Sequence, residues 1–257
     1  MNIQPINYNN INFGTCVRVY SPKDVKNFKS FGENIIRTST NIFREDLDWL
    51  ALSDYITRHF LQKSKVQIHN FACSDGSEPY SLAITFLKKI PKQGLNKYFP
   101  IIASDIDNEI IKTAQSGRIN LECFELNFYD KSKLVTRDFF KKEAKALKIN
   151  NDTLVYTHSY EPIKELKNAV RFHKSDILTE LNKIEDKGNT VILCRNVFPY
   201  LNSEYTENVI NTLNNKLNSG SLFVTGNFDE VVDISQKILE KDFFNPISDS
   251  PYIFQKK

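Results

Sequence analysis

The chain has 257 residues, of which 40% are hydrophobic and 12% aromatic, enough for one large α/β domain or two small ones. Its formal net charge of only +3 argues against the broad basic surface of a nucleic-acid-binding protein. The four cysteines form no CxxC pair, which argues against a zinc site and favours a reducing compartment: Cys16, Cys73, Cys123 and Cys194. We therefore predict no bound metal and no nucleic-acid partner.

In the N-terminal region no charged stretch is followed by an apolar one, so we expect no secretion signal there. No segment of the chain is apolar over the roughly 20 residues that a membrane span needs. We therefore expect a cytoplasmic protein without membrane insertion. Residues 1–30 are rich in Asn, Lys and Ser and are expected to form a loosely ordered arm, with a short β-like piece at 16–20.

Residues 37–46, RTSTNIFRED, are predicted to form a polar turn. An amphipathic helix is expected to follow it, with a core face made of Leu50, Leu52, Ile56 and Phe60. Arg44 stands beside Glu45 and Asp46, and a weak surface ion pair explains these charges as well as a functional role does.

The stretch around which the chain is organised runs over residues 66–84. A β-rich run at 66–72 is followed by a break that ends at Gly76, and a helix is predicted to start at Ser77. A strand, a tight turn and a helix N-terminus in this order form the usual ligand cradle of an open α/β sheet. There is one glycine and no GxGxxG pattern, so a plain strand-to-helix turn remains an alternative and a dinucleotide dehydrogenase is disfavoured.

A second strand is predicted at 98–104, followed by a helix that ends at Gly117. Asp105 comes 29 positions after Gly76, at the end of this strand, where a carboxylate is placed to accept hydrogen bonds from a ribose diol. The alternative for Asp105 and Asp107 is a helix cap. We favour the ligand role for Asp105 and the cap for Asp107.

The segment 121–168 is rich in charged and aromatic residues and is predicted to contain a helix at 131–147. It is interpreted either as a substrate surface or as a solvated connector, and such charge runs favour the connector. A third strand is predicted at 170–173, and His173 is interpreted as a strand residue without a catalytic role.

The run at 190–194, TVILC, is almost wholly apolar, as is typical of a central strand of a parallel sheet. A polar cluster at 195–200 follows it, where open α/β sheets bind ligands. A helix is expected at 203–217, a strand at 221–225 and a final edge strand at 252–255. With no internal repeat, these elements predict one doubly wound α/β domain.

The motifs stand in a fixed order: TNIFRED, FACSDGSEPYSLAI, IIASDIDNEIIKTAQSGR, FHKSDIL and ILCRNVFPYL, then a helix and SGSLFVTG. Together they resemble the CheR family, S-adenosylmethionine-dependent methyltransferases that esterify glutamates on chemotaxis receptors. The resemblance covers about residues 37–257. It implies a mostly parallel seven-stranded sheet of the class I, Rossmann-like type, with S-adenosylmethionine as cofactor and S-adenosylhomocysteine as product.

The resemblance also implies cofactor-binding residues. Glu78 of the SEPYS box would reach the methionine portion of the cofactor, and Asp105 would hold the ribose. Asp176 and Ile177 stand where the family has the pair that faces the adenine. The other residues expected to line the cofactor lie in or beside the T-x-x-x-R, SEPYS and CRN boxes: Thr38, Thr40, Arg44, Gly76, Cys194, Arg195 and Asn196.

Two residues are implied at the reacting centre. Arg44 would orient the acceptor carboxylate, and Tyr200 would close the site beside the methyl group. A glutamate carboxylate has a reference pKa of about 4.3, so it is ionised at neutral pH and needs no general base. Catalysis would then consist of in-line positioning and desolvation of the reactants.

The sequence also departs from the family pattern. Ser77 replaces the first glutamate of the family's GEEPYS box, and Pro199 precedes the tyrosine where an aliphatic residue is usual. The family normally begins with a helical domain that contributes to receptor binding, whereas here we expect only a short N-terminal extension at 1–36 before the methyltransferase domain at 37–257.

The implied partner is a protein acceptor, such as the cytoplasmic domain of a chemoreceptor. One alternative is methyl transfer to another protein or to a small molecule. A second alternative is a non-catalytic module that senses the cofactor or docks a partner through 1–36 and 121–168. The oligomeric state is not predicted by the sequence.

Overall fold

A computed structural model describes residues 15–19, 35–40, 42–44, 46–117, 136–150, 153–247 and 250–257. Only the backbone is described for 15–19, 35–39, 136–137, 142–150 and 153–160. Most of the predicted N-terminal arm, and the side chains of Cys16 and Cys123, therefore lie outside this description. The predicted boundary between residues 36 and 37 stays a prediction.

The described part of the chain is built around a seven-stranded sheet. Its strands are β3 (Gln67–Phe71), β4 (Ile101–Asp105), β7 (Val170–Lys174), β8 (Thr190–Cys194), β9 (Leu222–Val224), β10 (Phe244–Ile247) and β11 (Ser250–Lys256). Their spatial order is β10–β11–β9–β8–β3–β4–β7. Neighbouring strands are parallel except at β11, which is antiparallel to both β9 and β10. The predicted doubly wound, mostly parallel α/β fold is confirmed.

Helices cover both faces of this sheet. The core on one face includes side chains of α1 (Trp49–His59), α2 (Ser77–Lys89), α4 (Asn108–Ser116) and α5 (Lys164–Ala169). The core on the other face includes side chains of α6 (Ile177–Lys183), α7 (Ser203–Lys216) and α8 (Ile234–Glu240). A short helix, α3 (Lys92–Leu95), precedes β4. Among the described residues, no helix is both long and apolar enough to cross a bilayer.

Strand β8 shows why the central run is apolar. Val191 and Leu193 pack into one core, whereas Ile192 and Cys194 pack into the other. Because both faces of a parallel sheet are covered by helices, every position of its central strand is buried. The prediction of a central strand at 190–194 is confirmed.

Three short 3₁₀ helices also lie in the described part of the chain: Thr136–Phe139, Phe198–Tyr200 and Asn227–Val232. Phe198–Tyr200 is the next element after β8, and Asn227–Val232 is the next after β9, so both lie at the carboxyl edge of the sheet. As predicted, Asp107 caps α4 by accepting from the N–H groups of Glu109 and Ile110. Gly117 ends α4 with a φ of 66°.

The predicted polar turn at 37–46 is partly wrong. Strand β2 (Ile35–Ser39) includes Thr38 and Ser39 and pairs antiparallel with β1 (Thr15–Val19). The turn lies instead at Ile42 and Phe43. Local turn propensity is overridden here by pairing with a strand about 20 residues away, which a local pattern does not report.

The predicted helix at 131–147 is wrong within the described residues. A hairpin of β5 (Phe140–Asn150) and β6 (Thr153–Pro162) lies there, apart from the main sheet. The β5 segment is rich in Lys, Glu and Ala, which are good helix formers, but tertiary pairing can override this intrinsic preference. The β6 segment, TLVYTHSYEP, is rich in β-branched and aromatic residues, so cross-strand pairing decides the structure of both.

The predicted strand at 252–255 exists as part of β11, but its predicted edge position is wrong. Strand β11 lies between β9 and β10, and β10 forms the edge. Neither β10 nor α8 is expected from the sequence patterns. Because buried Phe244 is followed by exposed Asn245 and Pro246, β10 shows neither an apolar run nor the strict alternation by which strands are recognised.

Candidate cofactor and methyl-transfer site

The turn after β3 is shaped by left-handed backbone. Ala72, Ser74 and Gly76 have φ angles of 51°, 52° and 90°. A Cβ on Gly76 would lie 2.7 Å from Cζ of Phe172. Glycine is therefore required at position 76 both by its φ and by the neighbouring ring, and α2 starts directly after it.

Asp105 ties this turn to the end of β4. Its Oδ2 accepts a hydrogen bond from the Ser74 N–H at 2.9 Å, and its Oδ1 accepts one from the Asp107 N–H at 3.0 Å. Burial raises the pKa of the Asp105 carboxyl, and these backbone bonds oppose the rise. Each oxygen retains a lone pair, so the carboxylate can still accept from a ligand hydroxyl.

The centre of the site is the fully buried guanidinium of Arg195, in the loop after β8. It donates from Nη1 to Oε2 of Glu78 at 2.7 Å and from Nη2 to Oδ1 of Asp46 at 2.6 Å. Its Nε donates to the carbonyl of Thr225 at 3.3 Å. Burial lowers the pKa of Arg195, but the two carboxylates raise it by more, so the guanidinium stays charged.

Glu78 is held from a second side by β3. Its Oε1 accepts from Nδ2 of Asn70 at 2.6 Å. Burial raises the pKa of the Glu78 carboxyl, and Arg195 and Asn70 oppose that rise. Asp105, Asp75 and Glu78 all add to the effect of burial in raising the pKa of the Cys73 thiol. Glu78 follows β3 and Asp105 ends β4, its parallel neighbour, so both residues lie at the same edge of the sheet.

Asp46 connects the T-x-x-x-R segment to the loop after β8. Besides the Arg195 contact, its Oδ2 accepts from Nδ2 of Asn196 at 3.0 Å. The Nε of Arg44 lies 3.6 Å from the same oxygen. The Arg44 side chain is 34% exposed and the Asp46 side chain only 6%, so Arg44 lies on the solvent side of the network. The surface ion pair weighed for Arg44 and Asp46 is thus one contact of a mostly buried cluster.

The buried ring of Trp49 packs against the Arg195 guanidinium. Trp49 is the single tryptophan of the chain and is 1% exposed. The Arg195 guanidinium lies 5.3 Å from the centroid of the Trp49 ring. The indole Nε1 of Trp49 donates to the Arg44 carbonyl at 3.1 Å. This cation–π contact gives the buried cation a favourable partner in a protein interior.

Tyr200 lies in the 3₁₀ helix that follows Arg195 and Asn196, and its ring is partly buried. The ring centroids of Tyr200 and Phe228 are 5.8 Å apart. Phe228 is 38% exposed, so this aromatic pair forms an apolar border at the edge of the site.

The site presents polar atoms that need a ligand. Among the buried side-chain atoms that have no hydrogen-bond partner in the described part of the chain, three lie at this site: Asn70 Oδ1, Ser74 Oγ and Thr225 Oγ1. They belong to residues that flank or contact Glu78, Asp105 and Arg195. A ligand with an ammonium, a carboxylate and a ribose diol would supply matching donors and acceptors, so the residues present fit S-adenosylmethionine.

Residues 38–243 match the family model described as CheR methyltransferase, SAM binding domain. The chain belongs to the CheR family. It is an S-adenosylmethionine-dependent methyltransferase with a class I fold, as its motifs imply. In the described part of this CheR-family chain, no group of three or more His, Cys, Asp or Glu residues is placed to hold a metal ion.

Curated relatives agree with this assignment. A chemotaxis protein methyltransferase of Listeria innocua is 26% identical over 226 residues, which cover 87% of this chain and 76% of the relative. A chemotaxis protein methyltransferase of Borreliella burgdorferi is 24% identical over 239 residues, covering 83% and 78%. Among solved structures, a TehB-like SAM-dependent methyltransferase of Corynebacterium glutamicum aligns with a TM-score of 0.40, at 13% identity over 79% of this chain and 87% of that one.

Not every expected site residue of the CheR-family chain joins the Arg195 cluster. Oδ1 of Asp176 caps α6 by accepting from the Leu178 N–H at 3.0 Å, and its Oδ2 accepts from the Tyr205 hydroxyl. The side chains of Ile177 and Cys194 lie in the core beneath α6 and α7. The adenine-facing role of Asp176 and Ile177 stays a prediction, and Cys194 can face a ligand only through its backbone.

Thr38 and Thr40 are the other two residues expected to line the cofactor. Thr40 directly follows β2 and is partly buried. Thr38 lies within β2, and its side chain is outside the described part of the structure. Cofactor binding by both threonines stays a prediction.

Four residues of the site are not expected from the sequence: Asp46, Trp49, Asn70 and Asp229. Asp46 is adjacent in sequence to the expected Arg44, yet its main partner, Arg195, is 149 positions away. Asp229 carries a local signal, since an acidic residue three positions after Gly226 is typical of the first turn of a helix.

Proposed function

We propose that this protein transfers the methyl group of S-adenosylmethionine to a glutamate side-chain carboxylate of a protein in the cytoplasm, such as the cytoplasmic domain of a chemoreceptor. The observation that carries the proposal is the bridge that Arg195 makes between Glu78 and Asp46. It joins the segment expected to hold the cofactor's methionine portion to the segment that bears Arg44.

Binding is assigned to residues on two neighbouring strand ends. Glu78 and the free carbonyl oxygen of Asn70 would accept from the cofactor's ammonium group. Asp105 would accept from the ribose hydroxyls through its remaining lone pairs. Three N–H groups of the Arg195 guanidinium donate to Glu78, Asp46 and the Thr225 carbonyl, so we assign it to fixing these groups.

The bound cofactor supplies a methyl group that is already activated by its sulfonium. The acceptor carboxylate is ionised at neutral pH and is itself the nucleophile, so the protein needs no base. Arg44 would orient that carboxylate. Because Asp46 lies beside Arg44, the arginine would not fully neutralise the acceptor and blunt its nucleophilicity. The rings of Tyr200 and Phe228 would exclude water from the reacting atoms.

The test uses methyl-labelled S-adenosylmethionine and a purified chemoreceptor cytoplasmic domain. We expect label on the receptor domain that is released as methanol by mild base, because a carboxyl ester is base-labile. The same domain with its methylated glutamates changed to alanine serves as the matched acceptor control and should remain unlabelled.

An Arg44→Ala variant tests the role of Arg44, and the label on the wild-type reaction product separates this function from its alternatives. The variant should lose methyl transfer by about 100-fold, far more than it loses cofactor affinity, because the acceptor is no longer positioned while Glu78 and Asp105 still hold the cofactor. Base-stable label, or label on another protein or a small molecule, would show a different acceptor. In the wild-type protein, cofactor binding with no transfer to any acceptor would show a non-catalytic regulator.

A further inference from the structure

Asp229 is a fully buried carboxylate that belongs to neither strand end described above. Its Oδ2 accepts from the N–H groups of Asn196 at 2.7 Å and Gly226 at 2.8 Å. Its Oδ1 accepts from the N–H of Phe198 at 3.0 Å. One side chain thus holds the loop after β8 and the loop after β9 together.

The two loops are fitted closely at this contact. Asn196 has a left-handed φ of 58°, a conformation that is uncommon outside glycine and that asparagine adopts more readily than most residues. A Cβ on Gly226 would lie 2.2 Å from Oδ1 of Asn196. That same oxygen accepts from the Phe228 N–H at 2.9 Å. The backbone of one loop therefore fixes the side chain of the other.

Burial disfavours the charged form of the Asp229 carboxyl. Burial raises the pKa of Asp229 to about 6, although its backbone hydrogen bonds act in the opposite direction. It is nevertheless mostly ionised at pH 7 and can accept from all three N–H groups. An apolar residue would leave those three donors unpaired in the interior.

We propose that Asp229 is a positioning residue for methyl transfer, which holds the loops after β8 and β9 so that Asn196 and the Tyr200–Phe228 pair border the reacting centre. The proposal rests on the function proposed above. Asp229 touches no reacting atom and acts through Asn196 and through Phe198, which begins the 3₁₀ helix that ends at Tyr200.

The test compares Asp229→Asn with Leu213→Ala, a core variant in α7 away from the site. Asparagine keeps the size of the side chain but points an NH₂ group at backbone donors. At a temperature where circular dichroism shows both variants folded, kcat of Asp229→Asn should fall by about 10- to 100-fold. Its cofactor Kd should change by less than about threefold, because Glu78 and Asp105 stay in place. Leu213→Ala should keep kcat within about twofold of wild type.

Amide hydrogen exchange gives a second readout that does not depend on activity. The amides of Asn196, Phe198 and Gly226 should exchange at least about tenfold faster in Asp229→Asn than in Leu213→Ala. Unchanged exchange at these amides, or wild-type kcat in the folded variant, would overturn the role of Asp229. A wild-type protein that esterifies no glutamate would instead refute the proposed function, while the exchange data would still decide whether Asp229 positions the loops.

Discussion

At the scale of single residues, Arg195 is the group whose loss should cost most. Arg195→Met would leave Glu78 as a buried carboxylate without a counter-charge and Asp46 with only the partly exposed Arg44 beside it, which costs about 3–5 kcal/mol. We expect a drop of that size in the free energy of unfolding, measured with urea. The matched control is Arg171→Met on the exposed side of β7, which should change stability by less than about 0.5 kcal/mol. A loss below about 1 kcal/mol in Arg195→Met would show that the cluster contributes little net stability.

His69 in β3 is the residue that should govern stability in mild acid. Neither ring nitrogen has a partner among the described residues, and burial lowers the pKa of His69 to about 4. In the unfolded chain the pKa is about 6.5, so the unfolded state binds the proton more tightly. Above about pH 6.5, neutral His69 therefore does not lower the free energy of unfolding. As the pH falls from there towards 4, the free energy of unfolding decreases by at most about 3 kcal/mol.

The matching variant is His69→Leu, with unfolding measured between pH 7.5 and 4.5. The variant should lose less stability than wild type over this interval. Parallel curves for the two proteins would mean that other groups, such as the His173–Glu180 pair, control the acid response.

At the scale of elements, the start of α2 depends on Gly76. Gly76→Ala would combine a strained φ of 90° with a collision against the Phe172 ring. We expect a loss of about 1–3 kcal/mol in stability and a weaker cofactor Kd, because both Ser74 and Glu78 flank this position. Gly94→Ala in α3 is the control, since only a flexible methyl of Ile90 lies 3.0 Å from the added Cβ. Equal effects of the two substitutions, by calorimetry and urea unfolding, would contradict this reasoning.

The helices and strands differ in how well the sequence predicts them. Elements whose order is set by local pattern are found where the sequence places them: β8 by its apolar run, α4 by its capping residues, and α2 by its turn. The β5–β6 hairpin is missed because its strands depend on each other and not on their own helix propensity. In the site, Glu78, Arg195 and Asn196 are brought together as expected from their motifs, whereas the partners Asp46 and Asp229 are visible only once distant loops meet.

At the scale of the whole molecule, cofactor binding should stabilise the fold and change the signal of one fluorophore. S-adenosylhomocysteine at about 100 times its Kd should add about 2.7 kcal/mol to the free energy of unfolding. Because Trp49 is the single tryptophan and lies against Arg195, its emission should shift during the titration. Asp105→Ala should weaken both effects together. A titration that stabilises the protein and leaves the emission of Trp49 unchanged would place the ligand away from the Arg195 cluster.

The position of Arg195 in the chain also bears on biosynthesis. Its carboxylate partners, at positions 46 and 78, leave the ribosome long before position 195, and its carbonyl partner, at position 225, leaves later still. A nascent chain that stops ahead of β8 therefore carries two acidic groups, destined for the interior, without the cation that makes their burial tolerable. Premature termination anywhere before β9 should yield a product that quality-control proteases degrade, because the strands made first reach their native packing only after the later ones have joined them.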